Sequence, residues 1–195
     1  MMRVLEYFGV LAGALTVASV AYASTNLQPQ MIDHPIPPAI DMQEVECMAQ
    51  NIYFEANNQS KAGMIAVARV VINRMRDNRY PDTACEVILE GPIRESWKTR
   101  KDETLADKDR VFYPVRNRCQ FSWYCDGKAD VVPSPKTNLS WRLAQDIAVE
   151  VLAFDKYTGI VEGATHYHAD YVQPTWRSTL TLITKIDDHI FYRWD

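Results

Sequence analysis

Apolar and polar positions alternate with helical spacing between residues 42 and 56. Set out at about 100° per residue, Val45, Met48, Ala49, Ile52, Tyr53 and Ala56 share one broad face. Cys47 and Phe54 fall nearly opposite, and a narrow polar strip of Glu44, Asn51 and Glu55 runs between the two. A helix apolar on two sides is expected to be central and buried. Asp41 is its candidate N-cap, with Glu44 three residues on as in a capping box. Ser60 is placed to cap a second helix over residues 61–78, whose apolar stripe is Met64, Val67, Ala68, Val71, Ile72 and Met75. Asn73 and Arg74 near its end are assigned to capping and pairing, where Arg also suits the helix dipole. Tyr80 and Pro81 break the pattern, and Asp82 is placed to cap a short helix through residue 89.

Residues 91–118 carry no regular period, and their interleaved charges of both signs predict a solvated insertion. Asn138 or Ser140 caps a helix to residue 154, with Leu143, Ile147, Val151 and Phe154 inward. The period then drops to two. Residues 163–171 read as a strand with His166, His168 and Asp170 on one side and Tyr167 and Tyr171 on the other. Residues 180–186 and 190–194 read as a hairpin turning at Asp187 and Asp188.

Ahead of the first helix, residues 7–20 are apolar or small and uncharged, and the small-x-small tripeptide Ala21, Tyr22, Ala23 follows. This is the pattern of a secretory signal over residues 1–23, cleaved after Ala23. An uncleaved anchor is the alternative, because the uncharged run approaches the roughly 17 residues that a span needs. Pro29, Pro35, Pro37 and Pro38 make residues 24–41 a linker, so the folded domain is expected over 42–195. Cys47, Cys85, Cys119 and Cys125 all fall in the exported part, as an oxidising compartment favours. Four cysteines allow three pairings. Cys119–Cys125, a short loop, and Cys47–Cys85, a staple between the first helix and the segment after the next, are preferred. Without a Cys-x2-Cys pair, a four-cysteine zinc site is disfavoured.

The 195 residues suffice for one domain with a proper core, and 47% hydrophobic and 24% charged residues are ordinary globular values. A net charge of -4 gives no support to nucleic-acid binding. Five Trp and ten Tyr lean toward a carbohydrate substrate, since sugar rings stack on aromatic faces. Glu55, between Tyr53 and Phe54 at the edge of the first helix, is the first candidate for chemistry. Partial desolvation raises a carboxyl pKa and makes it a proton donor near neutral pH. Its alternative is a solvated Glu near a helix end. Residues 119–125, Cys-Gln-Phe-Ser-Trp-Tyr-Cys, form either the wall of a site or a simple loop staple.

Asn51-Ile-Tyr-Phe-Glu-Ala56 followed by Gly63-Met-Ile-Ala-Val-Ala-Arg-Val-Val-Ile-Asn-Arg74 resembles the opening of the SleB-type cell-wall hydrolases, the group of the spore-cortex-lytic enzymes. Tyr80-Pro81, Cys119-Gln-Phe-Ser122, His166-Tyr-His168 with Pro174 and Trp176, and His189-Ile-Phe-Tyr192 continue it in order, over roughly residues 44–192. The resemblance implies an α+β fold: a mainly helical, lysozyme-like catalytic domain with a small antiparallel β-sheet from the C-terminal third. It implies peptidoglycan as substrate and partner, no cofactor, and Glu55 as the catalytic residue of a lytic transglycosylase. Such an enzyme needs one carboxyl, whereas most glycoside hydrolases need two. Asp82, Asp126 and Asp170 are candidates for a second, with no spacing that singles one out. Gln120, Ser122, Tyr167, His168 and Trp176 are the candidate substrate-binding residues. The chain is expected to be monomeric, exported across the inner membrane, and in contact with a membrane only through its N-terminal segment.

Two rivals remain. A metal-dependent amidase would use His166, His168 and Asp170, which alternate on one strand. A non-catalytic wall-binding module would leave Glu55 without a reason to sit between aromatics.

Overall fold

The computed structural model describes residues 39–195. The expected signal and nearly all of the linker lie outside the described residues, as does His34. Among the described residues no helix is long and apolar enough to cross a membrane.

Helix α1 (Met42–Ala56) starts at Asp41, whose side chain accepts from the Gln43 N–H. Glu44 does not close a capping box. Its Oε2 instead accepts the Cys85 N–H at 3.0 Å, at the start of α3 (Ala84–Ile88), so the residue ties two helices together. Cys47 and Cys85 are disulfide-bonded beside it. Helix α2 (Lys61–Met75) begins at Ser60, whose hydroxyl accepts from the Gly63 N–H, and ends three residues earlier than its pattern suggested. Thr83 caps α3 in place of Asp82.

α1 packs against α2, α3 and α5 (Leu139–Phe154), and one apolar core fills the space between them. The helix enclosed on all sides is α2, not α1. Ala66 and Val70, off its apolar stripe, form a second cluster with Val161, Ala164 and Phe191 beneath the C-terminal sheet. Small and β-branched residues on that side let the sheet approach closely. α5 buries Trp141, Ala144, Ile147, Ala148 and Val151, while Leu143 is half-buried and Phe154 exposed, so the expected inward face is turned toward Trp141.

The insertion is more regular than its charges suggested. Strands β1 (Ile93–Glu95) and β2 (Phe112–Pro114) pair antiparallel around a short helix α4 (Trp97–Arg100). Three-residue strands are too short to leave a readable alternation. In the C-terminal third, β3 (His166–Ala169), β4 (Thr181–Ile186) and β5 (His189–Arg193) form an antiparallel sheet in the order β3-β5-β4. The hairpin turn is pinned to α2. Asp187, at φ 50°, accepts from the Ser60 N–H at 2.9 Å and its hydroxyl at 2.7 Å, a carboxylate on a helix N-terminus. Gly63 makes this possible, because a Cβ there would sit 2.5 Å from Asp187 Oδ2. The architecture is α+β, mainly helical, with small antiparallel sheets.

Candidate active site

Glu55 lies in the last turn of α1, where the helix meets the sheet. Its carboxyl is half-buried, and Oε2 accepts a hydrogen bond from the Tyr167 hydroxyl at 2.9 Å. Register puts Tyr167 there: it stands opposite Phe191 on β5, and its ring packs on Phe191 and His189. A cleft of about 590 Å³ opens over the pair. Phe54 and Glu55 from α1, Arg74 from α2, and His168, Ala169 and His189 from the sheet line it, together with Gln120, Ser122, Trp123, Asp126 and Lys128 from the disulfide loop and the turn after it.

The loop is held by more than the Cys119–Cys125 bond. Trp123 stacks on Phe54 with ring centroids 4.9 Å apart and donates its indole N–H to Asn51 Oδ1 at 2.9 Å. Asn51 is fully buried, so its role differs from the one its place on the wheel suggests: it anchors the loop, and the polar neighbour of Glu55 is Tyr167. Tyr53 turns the other way, accepting from Asn138 Nδ2 at the N-cap of α5.

Burial raises the Glu55 pKa above its ordinary value, while the Tyr167 hydrogen bond and the more distant Arg74 cation pull it partway down. The Tyr167 hydroxyl is driven well above its ordinary range, first by burial and then by Glu55, so it remains a donor throughout the neutral range. Burial lowers the His189 pKa, and its buried Nδ1 has no partner. No other carboxyl in the cleft is poised as Glu55 is. Asp126 accepts the Lys128 backbone N–H at 2.7 Å and pairs with its ammonium at 2.9 Å, and both hold its pKa below the ordinary value. Asp170 does not line the cleft, and its pairing with Lys185 at 2.6 Å lowers its pKa likewise. Asp82 does not line the cleft.

Gln120 and Ser122 both reach the cleft with exposed side chains. His168 lines it too, but it is buried, and both ring nitrogens are engaged, Nδ1 with Ala169 O at 2.8 Å and Nε2 with the Tyr192 hydroxyl at 3.1 Å. Trp176 is not in this cleft. It packs edge-on against His168 and Tyr192 and lines a separate hollow of about 300 Å³ with His166, Thr179, Leu180 and Trp194. These contacts do not favour the His166, His168 and Asp170 ligand set: both His168 ring nitrogens are hydrogen-bonded, and Asp170 is paired with a lysine. His166 Nδ1 is within 3.0 Å of Thr165 Oγ1. Among the described residues no cluster of three or more potential metal ligands occurs.

Arg74 and His189 were not among the expected site residues. Arg74 left a trace: on the helical wheel it falls about 20° from Val67, at the edge of an apolar stripe. His189 left none, because β5 meets β3 only through long-range pairing.

A family described as Cell Wall Hydrolase matches residues 58–192, a span that begins just past Glu55. The spore cortex-lytic enzyme of Oceanobacillus iheyensis is 34% identical over 55 residues, 28% of this chain and 20% of that protein. That of Bacillus cereus is 31% identical over 68 residues, 35% of this chain and 26% of that protein. The matched region thus spans about a fifth to a quarter of the length of these curated relatives. Two solved structures share the fold, each with a TM-score of 0.54 at 21% identity over 81% of this chain. They are the catalytic domain of the Bacillus cereus SleB protein, covered to 95%, and that of the germination-specific lytic transglycosylase SleB from Bacillus anthracis, covered to 100%.

Proposed function

Because the chain belongs to the Cell Wall Hydrolase family, we propose that it cleaves the glycan strands of peptidoglycan as a lytic transglycosylase with Glu55 as its one catalytic carboxyl. The observation that carries this reading is the half-buried Glu55, raised in pKa by burial, hydrogen-bonded to Tyr167, and unmatched by a second unpaired carboxyl in the cleft among the described residues. Most glycosidases use two carboxyls, whereas a transglycosylase needs one that acts first as acid and then as base. Glu55, the buried carboxyl with a raised pKa, suits that single role, and Asp126 across the cleft is tied to Lys128.

Glu55 gives its proton to the oxygen joining N-acetylmuramic acid to N-acetylglucosamine, and the bond from that oxygen to muramic acid C1 breaks. The C6 hydroxyl of the same muramic acid then bonds to C1 and returns its proton to the Glu55 carboxylate. A 1,6-anhydro ring closes, no water is consumed, and the enzyme ends as it began. Tyr167, fixed by the sheet, holds the carboxyl in one orientation through both transfers. Gln120 and Ser122 are placed to hydrogen-bond sugar hydroxyl or N-acetyl groups. His168 shapes the wall, since its nitrogens are occupied. The wall polymer lies outside the cytoplasm, and two disulfides suit an oxidising compartment, so we assign residues 1–23 to export, 24–41 to a linker and 42–195 to the catalytic domain of a monomer.

Digestion of purified peptidoglycan followed by mass spectrometry tests the reading. Anhydro-muropeptides are the expected products. Reducing ends would mean hydrolysis at the glycosidic bond, and released stem peptides would mean an amidase; either result overturns the proposal.

A further inference from the structure

The back wall of the cleft holds a cation that the reaction described so far does not use. Arg74 is 5% exposed and wedged between the rings of Tyr80 and Phe121, with its guanidinium carbon 5.3 and 5.1 Å from their centroids. Nε donates to Thr165 O at 2.8 Å, which locks the group to the residue before β3. Nη1 is buried with no partner. Among the described residues no carboxylate forms an ion pair with it. A buried charge left without an ion pair is costly, and proteins rarely keep one without a use.

We propose that Arg74 is a positioning residue of this active site: a fixed cation, lining the cleft with Glu55 but not ion-paired to it, that stabilises the Glu55 carboxylate once its proton has passed to the glycosidic oxygen. The inference rests on the single-carboxyl reading above. Its logic is one of distance. A guanidinium in contact with Glu55 would keep the carboxyl ionised and spoil it as an acid. One out of contact, in a poorly screened interior, offsets the burial-raised pKa only in part yet favours the anion that must persist until the C6 hydroxyl returns a proton. Held against two aromatic rings and at Nε, the group needs no reorganisation when the charge appears.

The groups around it are consistent. Burial pulls the Arg74 pKa below its ordinary value, and Tyr167, Tyr80, Glu90 and Glu55 pull it back up. Glu90, at the end of the segment after α3, is the other carboxylate in that set, and its Oε2 is buried without a hydrogen bond. Glu55 itself is faced by Tyr167 from β3 and Arg74 from α2. The remaining ionisable groups of the cleft among the described residues are His168 and His189 on the sheet, Tyr171 just after β3, and the Asp126–Lys128 pair on the loop and the turn after it. His166, beyond the Thr165 contact, has its pKa lowered first by burial and then by the Arg74 charge.

The test is the pH dependence of peptidoglycan cleavage in the full-length protein. An enzyme that needs protonated Glu55 loses activity as pH rises through that group's pKa. Removing the cation raises the pKa further, so Arg74→Gln, whose amide can still donate to Thr165 O, is expected to move the alkaline limb to higher pH. It is also expected to lower kcat by about 10- to 100-fold, less than loss of a donor in direct contact, with KM little changed. Arg74→Lys is expected to keep the limb near that of the wild type.

A folded Arg74→Gln variant with an unmoved limb overturns the proposal, as does a loss confined to KM or an equal shift in Arg74→Lys. If Arg74→Gln does not fold, Arg74→Met, which keeps an apolar stem against the rings without the charge, decides: an upward shift of the limb supports the proposal and an unmoved limb overturns it. The wild-type products are read separately, so reducing ends or free stem peptides sink the transglycosylase reading whatever the limb does.

Discussion

Helix α2 buries two arginines, Arg69 and Arg74, a turn and a half apart, and surrounds them differently. Arg69 is 1% exposed and meets Asp155 at 2.6 Å and the Lys156 carbonyl at 3.3 Å. Asp155 is the left-handed cap of α5, is shared with Arg76 at 2.8 Å, and has its pKa lowered by Arg76 and then Arg69. That cation is neutralised where it sits and joins α2 to the end of α5. Arg74 has aromatic rings and one carbonyl around it, and the nearby acids, Glu55 and Glu90, are not in contact. A buried charge that supports a fold has its counterion beside it. One that supports a reaction leaves room for a charge that comes and goes.

The largest effect expected belongs to the Arg74 end of the helix. Glu55→Gln should lower cleavage by at least the roughly 10²–10⁴-fold typical of a lost general acid, measured by release of anhydro-muropeptides. The fold should tighten, not loosen. A carboxyl whose folded pKa is raised loses stability as pH climbs from its unfolded value toward the folded one, because the unfolded chain gives up its proton first. Glu55→Gln removes that loss, so its Tm gain should grow with pH above 4.5; a gain only in acid would contradict the assigned burial.

Next in size is the Cys47–Cys85 bond, which closes a long loop between α1 and α3. Replacing both cysteines by alanine should cost about 2–4 kcal/mol in a denaturant melt, and the alkaline limb of activity should stay where it was. Arg69→Met comes third, at about 1–2 kcal/mol, because Asp155 is 47% exposed and keeps Arg76. Its deficit should shrink as pH falls below 3.8, the region in which a carboxylate with a lowered folded pKa loses its contribution. If Arg69→Met slows kcat as Arg74→Gln does at unchanged stability, the distinction between the two arginines collapses. The smallest change in stability is expected in Tyr167→Phe. Loss of its hydrogen bond leaves burial less opposed, so the alkaline limb should rise while Tm changes little.

Much of this fold was readable before any coordinates. The caps at Asp41, Ser60 and Asn138 and the stripe of α2 each depend on contacts within a few residues, and local chemistry is written locally. Glu55 stood out in the same way, as an acid between two aromatic residues. Local pattern misled where a partner came from far along the chain. Glu44 had a capping-box spacing and bonded Cys85 instead; Asn51 shared a strip with Glu55 and bonded Trp123 instead; Trp176 had the right chemistry for a sugar and faced another hollow. The β1–β2 pair was missed because three-residue strands leave no period to detect.

The amino-acid sequence alone determined where the helices α1, α2 and α5 start and which face each buries in the main, because helix periodicity and capping are short-range. It also placed an acid with aromatic neighbours at the end of α1. Only the tertiary structure decided which residues surround that acid. Tyr167 arrives through the register of β3 on β5, the loop arrives through Trp123, and Arg74 becomes a buried cation because the sheet closes over a side of α2 whose small residues look unremarkable in one dimension. Electrostatics inside a protein depends on distance and burial in space, and neither is a property of position along the chain.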